Sequence, residues 1–89
     1  MFPVDMEPPV ISGCPNDQTV TIELGTVTGE AFWITPTATD DSGVANLVVQ
    51  THSSGDEFPI MSTVVTYLFA DESGNIAFCF FTITVETGM

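Results

Sequence analysis

Short runs of apolar and β-branched residues alternate along this chain with Gly, Pro, Asn and Asp, and nowhere does an i, i+3, i+4 apolar pattern persist for a helix length. Period-two alternation dominates instead, the mark of half-buried strands. Gln18 to Leu24 shows it plainly, with Val20, Ile22 and Leu24 on one face and Thr19, Thr21 and Glu23 on the other. Strands are predicted at Val10–Cys14, Gln18–Leu24, Ala31–Thr35, Val44–Thr51, Thr63–Ala70 and Ile76–Glu86, with a shorter one around Phe58–Ile60. Pro8-Pro9 opens the domain stiffly, as suits a strand start or a sheet edge. Asp71-Glu72-Ser73-Gly74-Asn75 reads as a hairpin loop, with Gly where a positive φ is needed. Short strands with frequent turn signals predict an all-β antiparallel sandwich of about seven strands. A parallel sheet would need crossover helices, and none is visible.

The same alternation assigns faces. If Cys79 points inward, the core set of the last strand is Ala77, Cys79, Phe81, Ile83 and Val85, leaving Ile76, Phe78, Phe80, Thr82, Thr84 and Glu86 outside. In the preceding strand Val65, Tyr67 and Phe69 go in, and Val64, Thr66, Leu68 and Ala70 go out. With Trp33 inward, Phe32 and Ile34 also point out. The hairpin sets Leu68 and Ala70 beside Phe78 and Ile76. Phe32, Ile34, Leu68, Ile76, Phe78 and Phe80 thus form a candidate interface, because contiguous apolar surface on a folded domain marks a contact site. The competing reading is a covering loop, or a bulge that slips the register.

Composition narrows the partners. The 89 residues include twelve carboxylates and no Lys or Arg, for a net charge of −12. A chain without fixed cations cannot neutralise phosphates on nucleic acid, dock on anionic lipid through a basic patch or clamp an anionic substrate with arginine. Its charge partners are metal cations or basic protein surfaces. Disorder is excluded by the 44% hydrophobic content and seven Phe, which supply enough surface for a core. Cys14 and Cys79 lie near opposite ends. They are either a disulfide closing nearly the whole chain, worth about 4 kcal/mol in the chain-entropy model, or two buried free thiols.

The residues then show a resemblance. Asp5…Pro8-Pro9…Cys14-Pro15, Trp33…Pro36-Thr37-Ala38-Thr39-Asp40-Asp41-Ser42-Gly43 and Phe58-Pro59…Thr63-Val64-Val65-Thr66-Tyr67…Asp71-Glu72-Ser73-Gly74-Asn75-Ile76-Ala77-Phe78-Cys79 stand in the order that resembles the hyalin repeat, or HYR domain. The likeness runs from about Asp5 to Val85. It implies an immunoglobulin- or fibronectin-like sandwich, extracellular, often in tandem in adhesion and matrix proteins, and non-catalytic. It also implies that Cys14 pairs with Cys79. Residues 1–7 are expected to be a linker, 8–86 the domain and 87–89 a tail. Met1-Phe2-Pro3-Val4-Asp5 has neither a basic region nor an apolar run, so the chain is expected to be part of a longer secreted protein.

Site chemistry is sparse. His52 is the single histidine, in a polar segment, and is expected to be a solvated loop residue; no serine has a nucleophile-elbow context. Calcium is the stronger candidate, since it takes six to eight oxygen ligands and the turns offer Asp5, Asp40, Asp41 and Asp71, with Glu7 beside Asp5 and Asp56-Glu57 in a further turn. Against it, Asp before a turn commonly caps backbone N–H groups, and the EF-hand spacing is absent. Two functions remain: an adhesion or assembly module, in the sharper version a filament or matrix-layer subunit using the apolar outer face, and a calcium-stiffened spacer in a tandem-repeat surface protein. In either the partners are other protein domains or copies of the chain.

Overall fold

The computed structural model describes residues 7–41, 43 and 45–88. Its described residues form β1 Val10–Ser12, β2 Gln18–Glu23, β3 Thr28–Glu30, β4 Thr37–Thr39, β5 Ala45–Gln50, β6 Glu57–Pro59, β7 Ser62–Asp71 and β8 Ile76–Gly88, with no helix. The longest two, β7 and β8, are the ones with the longest unbroken alternation of apolar side chains. They pair antiparallel from Ser62↔Thr84 to Ala70↔Ile76. β2 adds alongside β8 and β5 alongside β7, giving a four-stranded sheet in the order β2-β8-β7-β5. Two short antiparallel ladders, β1-β4 and β3-β6, supply Ile11, Ala38 and Phe58 against its inner face and form the opposing layer.

That inner face is the core set expected from period two, save Ala77, which is half-buried. Val65, Tyr67, Phe69, Cys79, Phe81, Ile83 and Val85 are all buried. Trp33 closes over them, its Nε1–H donating to the Tyr67 hydroxyl at 2.8 Å and its ring edge-on to Phe81 with centroids 5.1 Å apart. Tyr67, wholly buried, thereby has a partner for its polar atom. Cys79 is bonded to Cys14, with Cα atoms 5.6 Å apart, inside the usual range for a bridge. Gly29 is required by packing: a Cβ there would lie 2.9 Å from Ile22 Cγ2 and 3.1 Å from Val20 Cγ1.

Three expectations are corrected. The sheet is mixed, because β2 runs parallel to β8, from Gln18↔Ile83 to Glu23↔Gly88. A parallel pair needs a long crossover, not a helix as such, and the five strands between β2 and β8 provide it. Ala31–Thr35 is not a strand. Its alternation holds, with Ala31 buried and Phe32 and Ile34 exposed, but its backbone bonds go to a loop: Ala31 N–H to Asp56 O, Gly55 N–H to Ala31 O and Trp33 N–H to Ser54 Oγ. Pro36 has no N–H to extend a ladder, and β4 starts only after it. Third, β8 continues past Glu86, with Thr87 opposite Ile22 and Gly88 opposite Glu23.

Replacing both Cys14 and Cys79 by Ala frees a loop with a sequence separation of 65 and is expected to lower unfolding stability by about 2–4 kcal/mol, read as a shifted urea midpoint at unchanged far-UV circular dichroism.

Candidate interaction surface

Side chains on the outer face of the four-stranded sheet come from alternate positions of β5, β7 and β8, and the register sets them in rows. Asn46, Ala70 and Ile76 make one row, and Val49, Leu68 and Phe78 the next. Thr66 faces Phe80, and Val64 faces Thr82. Ile76, Phe78, Phe80 and Val64 are each at least half exposed, while Leu68, between Phe78 and Val49, is partly covered by its neighbours. Towards the far end the face turns polar, with Ser62 Oγ 2.9 Å from Thr84 Oγ1. Leu68, Ile76, Phe78 and Phe80 are therefore brought together. Phe32 and Ile34 are exposed too, 64% and 88%, but they belong to the arm that carries Trp33 into the core. That arm bonds to the loop at Ser54–Asp56, and the Phe32 ring lies beside Gly55, so neither residue is in the rows formed by β5, β7 and β8.

One set of residues was not foreseen: Leu47, Val48 and Val49 of β5 are exposed by 43%, 58% and 40%. A bulge between Leu47 and Val49 breaks the register, so three successive apolar residues reach solvent where strict alternation would bury one or more. The sequence signal available was three apolar residues in a row without period two.

The carboxylates avoid the apolar rows of this surface, Glu86 standing beyond Thr82 and Thr84 on β8. None lies between Asp41 and Asp56, between Glu57 and Asp71, or between Glu72 and Glu86, so β5 and the interiors of β7 and β8 carry no charge. Several gather at the pole where the chain enters. Asp40 follows Thr39, which faces Val10; Asp71 faces Ala45; and Asn75 Nδ2 donates to the Glu7 carbonyl at 3.2 Å. Asp41 is exposed and Asp40 half-buried, whereas Asp71 is 7% exposed. Asp71 Oδ1 accepts the N–H groups of Ser73 and Asn75, and Oδ2 accepts Asn75 Nδ2, all at 2.9 Å. Asp71 thus organises the β7–β8 turn, in which Gly74 sits at φ 86°. Asp5 lies outside the described residues. Asp56 is elsewhere, accepting Ser53 N–H at 2.9 Å. Among the described residues no group of three or more His, Cys, Asp or Glu side chains is placed to hold a metal.

Residues 4–85 match the HYR domain family. That decides the relationship. The chain belongs to the HYR domain family. It is 51% identical over 86 residues to hyalin of Strongylocentrotus purpuratus, covering 96% of this chain and 7% of that protein. It is 50% identical over 84 residues to hyalin of Lytechinus variegatus, covering 93% and 16%. Against the sushi, von Willebrand factor type A, EGF and pentraxin domain-containing protein 1 of Mus musculus the identity is 35% over 83 residues, covering 93% and 2%. The chain therefore spans a small part of each relative. No solved structure matches it.

Within this HYR domain His52 differs from the solvated residue expected. It is half-buried, its ring centroid 5.1 Å from that of Phe58, and its Nδ1 is 2.8 Å from Thr51 Oγ1. That hydroxyl also accepts Thr66 N–H at 2.9 Å. The arrangement ties the loop after β5 onto the core. Asp71→Ala leaves three donors of the β7–β8 turn without their acceptor and is expected to cost about 1–3 kcal/mol, measured by urea unfolding of the two proteins in parallel.

Proposed function

We propose that this HYR domain is a non-catalytic extracellular module for adhesion or assembly, and that its contact surface is the outer face of β5, β7 and β8. The observation that carries the reading is the coincidence of two patterns on one face. Ile76, Phe78, Phe80, Val64 and Val49 are exposed there, and β5 and the stretches of β7 and β8 that present them, residues 62–70 and 76–85, carry no charge while the chain holds twelve carboxylates. A surface that is apolar only where it is uncharged suits contact between molecules that otherwise repel. The family assignment supports an extracellular setting, as does the Cys14–Cys79 bridge, since disulfides persist in oxidising compartments. In its sharper form the module is a subunit of a filament or matrix layer built from copies of itself.

Two substitutions test this. Phe78→Thr and Phe80→Thr change side chains exposed by 56% and 67%, so stability is expected to stay within about 0.5 kcal/mol while self-association in sedimentation velocity falls. Association of the unaltered domain strengthens with added salt, because screening weakens repulsion between copies of charge −12. Identical sedimentation before and after the substitutions, or association weakened by salt, counts against the reading.

The convergence of Glu7, the turn after Thr39 and the Asp71 hairpin at the entering pole supports a second reading, a calcium-stiffened spacer between tandem domains. Calcium would take carboxylate and carbonyl oxygens there, with Asp40 and Asp41 as the acidic candidates, since the oxygens of Asp71 already accept three N–H groups. Calorimetric titration of calcium into the domain is expected to give saturable heat and a raised melting temperature; no heat and no shift sinks it.

A further inference from the structure

Resting on the assembly reading, we infer that two copies of this domain join through the open edge of β5, its main chain pairing antiparallel with β5 of the second copy. β5 is the last strand of the order β2-β8-β7-β5, and an edge strand presents a row of N–H and C=O groups ready to pair. The two edges of this sheet differ. β2 is bracketed by Asp17 and carries Glu23, charges that protect an edge, whereas residues 42–55, which enclose β5, hold no charge and no proline. The bulge between Leu47 and Val49 is the edge device present. It leaves Val48 the most exposed of three consecutive apolar side chains.

Charge selects the occupant. A basic partner would settle on the carboxylates, which reach β5 only at its first residue, Ala45, opposite Asp71. A second copy carries the same −12 charge and no cation, so it can approach closely only along an uncharged stretch. Antiparallel self-pairing of Ala-Asn-Leu-Val-Val-Gln sets Leu47 to Val49 of one copy against the same residues of the other, an isologous contact. The two-fold axis of such a pair stands normal to the sheet, so both outer faces lie on one side and the rows of Val49, Leu68 and Phe78 become continuous. β5 starts opposite Asp71, at the acidic pole. Antiparallel pairing therefore holds the two poles at opposite ends of a six-residue ladder, about 20 Å apart, about two and a half times the Debye length at physiological salt. Parallel pairing would lay the poles side by side.

The test combines sedimentation with hydrogen–deuterium exchange of the whole chain at low and high concentration. Pairing at the edge is expected to slow exchange at the amides of residues 45–50 as association sets in. Val48→Asp is expected to weaken association by about tenfold or more, while Thr19→Asp, which adds the same charge on the far edge strand, weakens it much less. Association with unchanged exchange at residues 45–50, lost in Phe78→Thr and Phe80→Thr but equally affected by the two Asp variants, overturns the edge proposal and leaves contact through the sheet face standing. A monomer at every concentration and salt overturns both.

Discussion

The antiparallel pairing of β7 with β8 is the contact on which the rest of the molecule depends. It is the longest ladder, from Ser62↔Thr84 to Ala70↔Ile76, and both other strands of the main sheet attach to it. Its inner face brings Tyr67 opposite Cys79 and Val65 opposite Phe81. Tyr67 then receives the Trp33 indole N–H, and Cys79 ties down Cys14. The short ladders of the second layer have three residues a strand, too few to be stable as isolated pairs. They hold because Ile11, Ala38 and Phe58 have this inner face to cover.

A second constraint is electrostatic. With no Lys or Arg in the chain, each carboxylate must stay in water or be met by dipoles. Asp71 shows the second solution: it is buried, and three N–H donors surround its oxygens. The others occupy turns, strand ends and exposed positions, which leaves the middle of β5, β7 and β8 uncharged. Acidity and apolar exposure are thus divided over the molecule.

How much of this was legible varied by segment. For β7 and β8 nearly all of it was, down to Leu68 facing Phe78 and Ala70 facing Ile76, because a tight hairpin transmits register directly from the turn. The acidic pole was legible as a set of turns but not as chemistry, since the sequence does not say that Asp71 spends its oxygens on Ser73 and Asn75. The arm from Ala31 to Thr35 has a strand's alternation and a loop's hydrogen bonds. Side-chain period alone cannot tell these apart, because the difference lies in which backbone groups stand opposite, here Ser54 to Asp56. β4 escaped notice because Thr37-Ala38-Thr39 is too short for a pattern.

By itself the sequence determined the class of the fold and the faces of its long strands, because each follows from residue type and spacing along one strand or one turn, and the order of its motifs along the chain carried the family resemblance. Only the tertiary structure decided that β2 runs parallel to β8, that the arm carrying Phe32 and Ile34 bonds to the loop at Ser54–Asp56, and that β5 is an open, uncharged edge with its three apolar residues exposed. Those depend on which strands become neighbours across long stretches of chain, and on a bulge at a sheet edge. Pairings of that kind are settled by the packing of the whole core, which no local pattern encodes.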